Sequence, residues 1–523
     1  MLFFRSRGLT VGWLLSGRAC QGGDMTNEAA CHELLGLLNR IHRLESISGF
    51  LGWDEQVNLP PDSADKRAEE HSVLAETIHT TATNPRLGEL LSTLEHSSTK
   101  LTVDQATVAK DARRNYDRAT KLPAEFVREK AIQSSVGYHA WAKARAASDF
   151  ASYAPVLEKN IAMAKQEAAY LGWGDRPYDY MIDKHDPGMS AAVINKLFTA
   201  LKTELVPLVR QITGSSVKAR TDILQGFPVG DQLNFLREVT EKLGFNYRRG
   251  RIDVSLHPFC SGSGGDIRMT TRFNVNEPLD SLFSSIHETG HGLYEQGLPL
   301  EHHATALGQA AGMGVHESQS RLWENQVARS RPFWKFFEPL FRETFASQTA
   351  AVTSDELYLA INAVAPTLIR VDADEVTYNL HVILRFEIEQ QLFAGTLQVA
   401  DLPSAWNHLA GEMLGMIPTK DSEGVLQDVH WSDGAFGYFP SYCIGNMMAA
   451  QLWYRALELR PALTDDFAQG DFTWLLKWLQ ENVHAEGKRF DVLALTKKVT
   501  GHELSPKALL RYLRERYLPL YSS

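Results

Sequence analysis

Cysteine is scarce in this chain. Four occur among 523 residues, Cys20, Cys31, Cys260 and Cys443, with no C-x-x-C pair. That spacing argues against a disulfide scaffold and against a thiolate metal site, and it points to a reducing compartment, the cytoplasm. No run of about 18 apolar residues occurs either, so no segment reads as a membrane-spanning helix. A positive field is also missing. The net charge is −10 and the pI near 6.0, which leaves nothing to hold nucleic acid or anionic lipid. The short cluster Arg248, Arg249, Arg251 reads as a solvated turn. No internal repeat or low-complexity linker divides the chain, and its length suits one large body with a sizeable core.

Residues 1–24 carry Arg5, Arg7 and Arg18, a short apolar stretch from Leu9 to Leu15, and no acid before Asp24. They read as an organellar or secretory presequence, or as an upstream start with Met25 as the true beginning, which is the reading preferred here. Residues 25–523 are expected to form a single catalytic domain, mostly α-helical. Leu34, Leu37, Leu38, Ile41, Leu44, Ile47 and Leu51 recur at helical intervals and predict one buried stripe. Pro60-Pro61-Asp62 breaks the pattern, with Ser63 as N-cap of a following helix. Similar periods return at Val156–Leu171, Ala191–Leu208, Ala360–Phe393 and Trp474–Val483. Only Ile252–Leu256 and Ile267–Phe273 look like strand. They predict a small hairpin across the turn Ser261–Gly265, which lacks the G-x-x-x-x-G-K-[ST] order of a nucleotide loop.

The richest feature is His287-Glu288-Thr289-Gly290-His291. On a helix, residues four apart share a face, so both imidazoles reach one ion and Glu288 flanks it. This spacing marks zinc peptidases, with the glutamate as general base. Catalytic zinc takes three protein ligands. The extension to a third histidine fails, because Tyr294 and Gly297 occupy its glycine and last-histidine positions. A second helix near Gly314–Arg321 could present Glu317, with His302, His303 and His316 as competitors.

At this point the sequence resembles the thermostable, zinc-dependent carboxypeptidases typified by carboxypeptidase Taq. The resemblance covers nearly everything after Met25. It is carried by Trp53-Asp54-Glu55, His257-Pro258-Phe259, Asp266-x-Arg268-x-Thr270, the H-E-x-x-H, and His316-Glu317-Ser318-Gln319. It continues through Gly424-x-x-Gln427-Asp428-x-His430-Trp431 and Gly437-Tyr438-Phe439-Pro440-Ser441-Tyr442. It implies His287, His291 and Glu317 as metal ligands and Glu288 as base. It also implies zinc with cobalt as a substitute, a small sheet near the metal, and a long active-site groove. Finally, it implies a homodimer that removes single residues from peptide C-termini with broad specificity.

Tyr442 and His430 are the candidates to share the developing charge on the scissile carbonyl. His430 with Asp428 could instead orient neighbours. An exopeptidase at the C-terminus needs a cation for the substrate carboxylate, and arginine's planar fork suits that task. Arg370 matches the family's anchor, with Arg385 and Arg268 as rivals. The plain alternative for Arg370 is an ion pair with Asp372 or Asp374. Asp266 and Arg268 also suit structural pairing at the hairpin, and His257 is placed at the groove wall. The rival functions are a zinc oligopeptidase cutting internally, a zinc aminopeptidase, and a helical scaffold with a vestigial site.

Overall fold

The structure is a computed structural model that describes residues 26–522. The expectation for residues 1–24 falls outside the described residues. The body is mostly helical. It opens with Asn27–Val57, where the Thr26 side chain accepts from Ala29 N–H. The break at Pro60-Pro61 becomes a short 3₁₀ turn, after which Ala64–Ala82 begins at Ser63 without a side-chain cap bond. The expected periods appear as Phe150–Tyr170, Ala191–Thr213 and Thr473–Asn482. Among the described residues no helix is long and apolar enough to cross a membrane.

The main core gathers around helix Pro440–Leu459. Its Cys443, Ile444, Met447, Met448, Ala449, Ala450 and Leu452 are fully buried, the pattern of a helix covered on every side. A separate small core joins Leu34 to Leu87, Leu90, Leu91 and Leu94 near the N-terminus.

Three sequence expectations are corrected. The stripe on Asn27–Val57 is not uniformly buried: Leu34 is, Ile47 is 51% exposed, and the rest lie between. Its first half packs in the small core, whereas its second half passes over the sheet. The period from Ala360 to Phe393 is not one helix. Ser354–Ile361 ends, and Tyr378–Ala394 begins after an irregular stretch. Pro366 cannot continue the helix, and Asp374 takes backbone N–H groups of Ala365, Val376 and Thr377. The strand segments also pair differently. β1 (Gly250–Val254), β2 (Cys260–Ser263) and β3 (Asp266–Thr271) form a sheet in the order β1-β3-β2. The hairpin is β2–β3, and β1 adds to β3 in parallel. Gly264 and Gly265, at φ +58° and +100°, make the tight two-residue turn such hairpins need. The chain leaving β1 travels through His257-Pro258-Phe259 before it can return. That detour lets β3 enter between the other two strands.

Candidate metal centre

Three helices meet at the site, and two glycines allow it. A Cβ on Gly290 would stand 2.5 Å from Ser320 Cα, and one on Gly445 would stand 2.4 Å from Glu317 Cβ. Helices Pro278–Gly297 and Pro440–Leu459 therefore press directly on Met313–Arg321. Asp186 completes the junction. Its Oδ1 accepts from Gly314 N–H and its Oδ2 from Ser441 Oγ, both at 2.6 Å. Burial pushes the Asp186 carboxyl up to about 6.

Within this junction Glu317 faces both histidines. Its Oε2 lies 3.7 Å from His287 Nε2 and its Oε1 3.8 Å from His291 Nε2. The three ligand atoms fall within 4.8 Å of one another. Two atoms bound tetrahedrally to one ion at about 2.1 Å stand roughly 3.4 Å apart, close to the 3.7 and 3.8 Å that separate Glu317 from the two histidines. His316 lies behind His291 instead, and His303 turns its Nδ1–H to Leu300 O at 2.6 Å. Among the described residues, no cluster with metal-ligand spacing includes His302 or His303.

The rear of each imidazole is also engaged. His287 Nδ1 is 2.9 Å from Glu324 Oε2. His291 Nδ1 is 2.5 Å from His316 Nδ1, and His316 Nε2 is 2.9 Å from Glu295 Oε1. Carboxylates only accept, so the Nδ1 of His287 carries the proton towards Glu324. Likewise, His316 gives its Nε2–H to Glu295 and receives the Nδ1–H of His291. With each ring neutral, both histidines then keep an Nε2 lone pair facing Glu317, which is the tautomer a metal requires. Burial works to raise Glu324, but Arg321 and His287 outweigh it and bring the carboxyl to about 2. Glu288, 8% exposed beside them, is pushed up by burial to about 7, with His287 opposing.

A second cluster adjoins this one. Arg321 Nε is 3.7 Å from Glu317 Oε2, and its guanidinium lies 4.5 Å from the centre of the Tyr378 ring. The Tyr378 hydroxyl accepts from Arg370 Nη1 at 3.0 Å. Arg370 pairs with Asp428, at 2.8 Å, rather than with Asp372 or Asp374. Arg385 binds the other oxygen of Asp428, so two buried cations share one carboxylate. Tyr442 lies 5.4 Å from Arg370 and packs edge-on against Tyr378 and Tyr438. His430 lies tilted against the rings of Tyr438 and Phe439, and its Nδ1 lies 4.0 Å from Asp428. Burial lowers it to about 4, so it is neutral near pH 7.

Arg268 belongs to the sheet, in β3, and His257 to the connection between β1 and β2. His257 is exposed, and its carbonyl accepts from Ser255 Oγ at 2.5 Å. Arg268 forks onto Asp266 and lies 4.2 Å from the centre of the Trp53 ring. Two of the quoted motifs therefore meet where the first helix crosses the sheet. Glu324, Arg321, Glu295 and Tyr378 were not singled out in the sequence. A signal existed: Glu317, Arg321 and Glu324 recur at i, i+4, i+7, and His287, His291 and Glu295 at i, i+4, i+8.

The sequence profile of the carboxypeptidase Taq (M32) metallopeptidases matches residues 33–517. The chain belongs to that family. It is therefore a metallocarboxypeptidase, a peptide hydrolase that uses a metal ion. It is 40% identical to thermostable carboxypeptidase 1 of Thermus thermophilus over 511 residues, covering 95% of this chain and all of that protein. The crystal structure of a carboxypeptidase of the same family from Deinococcus radiodurans is 42% identical, with a TM-score of 0.91 over 94% of this chain and 99% of that one. Metallocarboxypeptidase 1 of Trypanosoma cruzi gives 33% and 0.89, over 94% of this chain and all of that one.

Proposed function

We propose that this family member is a zinc enzyme, active also with cobalt, that releases single amino acids from peptide C-termini with broad specificity. The observation that carries the proposal is the convergence of His287, His291 and Glu317 on one point, with the Nε2 atom of each histidine facing Glu317 and its Nδ1 engaged behind. Zinc in such a site polarises a carbonyl and lowers the pKa of water. Glu288 then accepts the proton of the attacking water and passes it to the departing amine. Tyr442 and His430 donate to the oxyanion as charge develops there. Arg370 holds the terminal carboxylate. A group shared by all peptides is thereby recognised, which supports broad specificity. Arg268 and His257 shape the groove beside the sheet. The enzyme is proposed to act as a homodimer in the cytoplasm. The three cysteines among the described residues, Cys31, Cys260 and Cys443, are free, which favours a reducing compartment.

Arg370→Ala is expected to raise KM for peptides with a free C-terminus, with zinc content unchanged by elemental analysis. Steady-state kinetics check this, and an unchanged KM removes Arg370 from the role. The function itself is tested with zinc-loaded protein and a peptide offered as free acid and as amide. The acid is expected to lose one residue at a time, and the amide to be spared. Equal internal cleavage of both supports an oligopeptidase instead.

A further inference from the structure

Behind the metal site the helical pitch changes. Met313–Arg321 runs directly into a π-helical turn, Leu322–Val327, where Ala328 N–H donates to Trp323 O at 3.0 Å, five residues back. Such turns are rare and gather at functional sites. This one carries Glu324. Its Oε2 takes His287 Nδ1 at 2.9 Å and Arg321 Nη1 at 3.1 Å, and its Oε1 faces Arg329 Nη2 at 3.4 Å. Where the turn sits therefore decides where the Glu324 carboxylate points.

The last helix, Lys507–Leu520, reaches this turn through Arg516. Arg516 Nη1 donates to Asn325 O at 2.6 Å and Nη2 to Gln326 O at 3.1 Å. Carbonyls in the final turn of a helix lack intrahelical partners. A guanidinium fork satisfies two of them and places its charge at the negative end of the helix dipole. Arg516 is held in turn by the Tyr512 ring, 4.8 Å away. Tyr512 and Tyr517 both donate to Glu375, at 3.2 and 2.5 Å. A continuous set of bonds runs from the C-terminal helix through two backbone carbonyls and Glu324 to His287.

We infer that Arg516 is a positioning residue of the metal centre. Its fork fixes the π turn that aims Glu324 at His287, and so it sets the affinity for the ion. The inference rests on His287 being a metal ligand. The competing account is that Arg516 only fastens the last helix to the body. In that case its loss lowers stability and leaves metal affinity alone.

The test uses the full chain, with cobalt(II) binding followed by visible absorption and chelator competition, and with thermal unfolding of the metal-free protein alongside. Arg516→Met keeps the length of the stem but cannot donate. Its cobalt dissociation constant is expected to rise about tenfold, the lower edge of what partners behind a ligand contribute. Arg516→Lys, with the charge and a single donor centre, recovers part of the loss. Tyr517→Phe removes a hydroxyl from the same buried cluster without touching the fork. It should lower the unfolding temperature and leave the cobalt affinity unchanged. If Arg516→Met does not fold, the comparison of Arg516→Lys with Tyr517→Phe decides: weaker binding in the lysine variant alone supports the inference. Wild-type affinity in Arg516→Met, or in Arg516→Lys where the methionine variant does not fold, overturns it, as does an equal loss in Tyr517→Phe. Wild-type protein that binds no cobalt contradicts the proposed metal site first, and this inference with it.

Discussion

Glu288→Gln is expected to lower kcat by roughly 10²–10⁴-fold, the range that a positioned general base contributes, while zinc content and KM stay near wild type. Glutamine has the size of glutamate and can still accept a hydrogen bond, but it cannot take a proton from water. The change leaves His287, His291 and Glu317 with the partners that orient them. The side chain is also almost fully buried, so bulk buffer has little access to replace it as base. Steady-state kinetics together with elemental analysis read both halves of the expectation. Full activity in this variant would remove Glu288 from the chemistry.

Glu317→Ala has the second large effect. It is expected to lose zinc during dialysis and to show only background hydrolysis, because one of the three proposed ligands is gone. Glu324→Gln gives the contrast. Its amide oxygen still accepts from His287 Nδ1, so the ring keeps its tautomer, and only the charge behind it is lost. The expected weakening of metal affinity is about 10–100-fold, and excess zinc should restore hydrolysis. Excess zinc should not restore Glu317→Ala. If both variants recover alike, Glu317 is not a ligand and the assignment of the third position fails.

The sequence placed the histidine helix, the helix that carries Glu317 and the small sheet correctly, and the reasons are local. Two histidines four apart need only the pitch of one helix to converge. What it missed depends on contacts between elements. Asp372 and Asp374 are the neighbours of Arg370 in sequence, but its guanidinium pairs with Asp428, 58 residues away. The pairing of β1 with β3 depends on the route of the chain through Pro258, which alternation alone cannot reveal. The stripe on the first helix looked buried because periodicity records one apolar face, not how much of it finds a partner. Glu295 and Glu324 were legible in principle, since each continues the spacing of a candidate ligand along the chain. Their roles emerged only once His316 and the π turn fixed the bonds behind the histidines.

The most direct measurement is mass spectrometry of a peptide library after digestion by the zinc-loaded enzyme, with each peptide present as free acid and as amide. The account predicts ladders that shorten one residue at a time from free C-termini, blocked amides left whole, and no products after a chelator has removed the metal. Internal fragments from both forms, or unchanged digestion in the presence of the chelator, would contradict it.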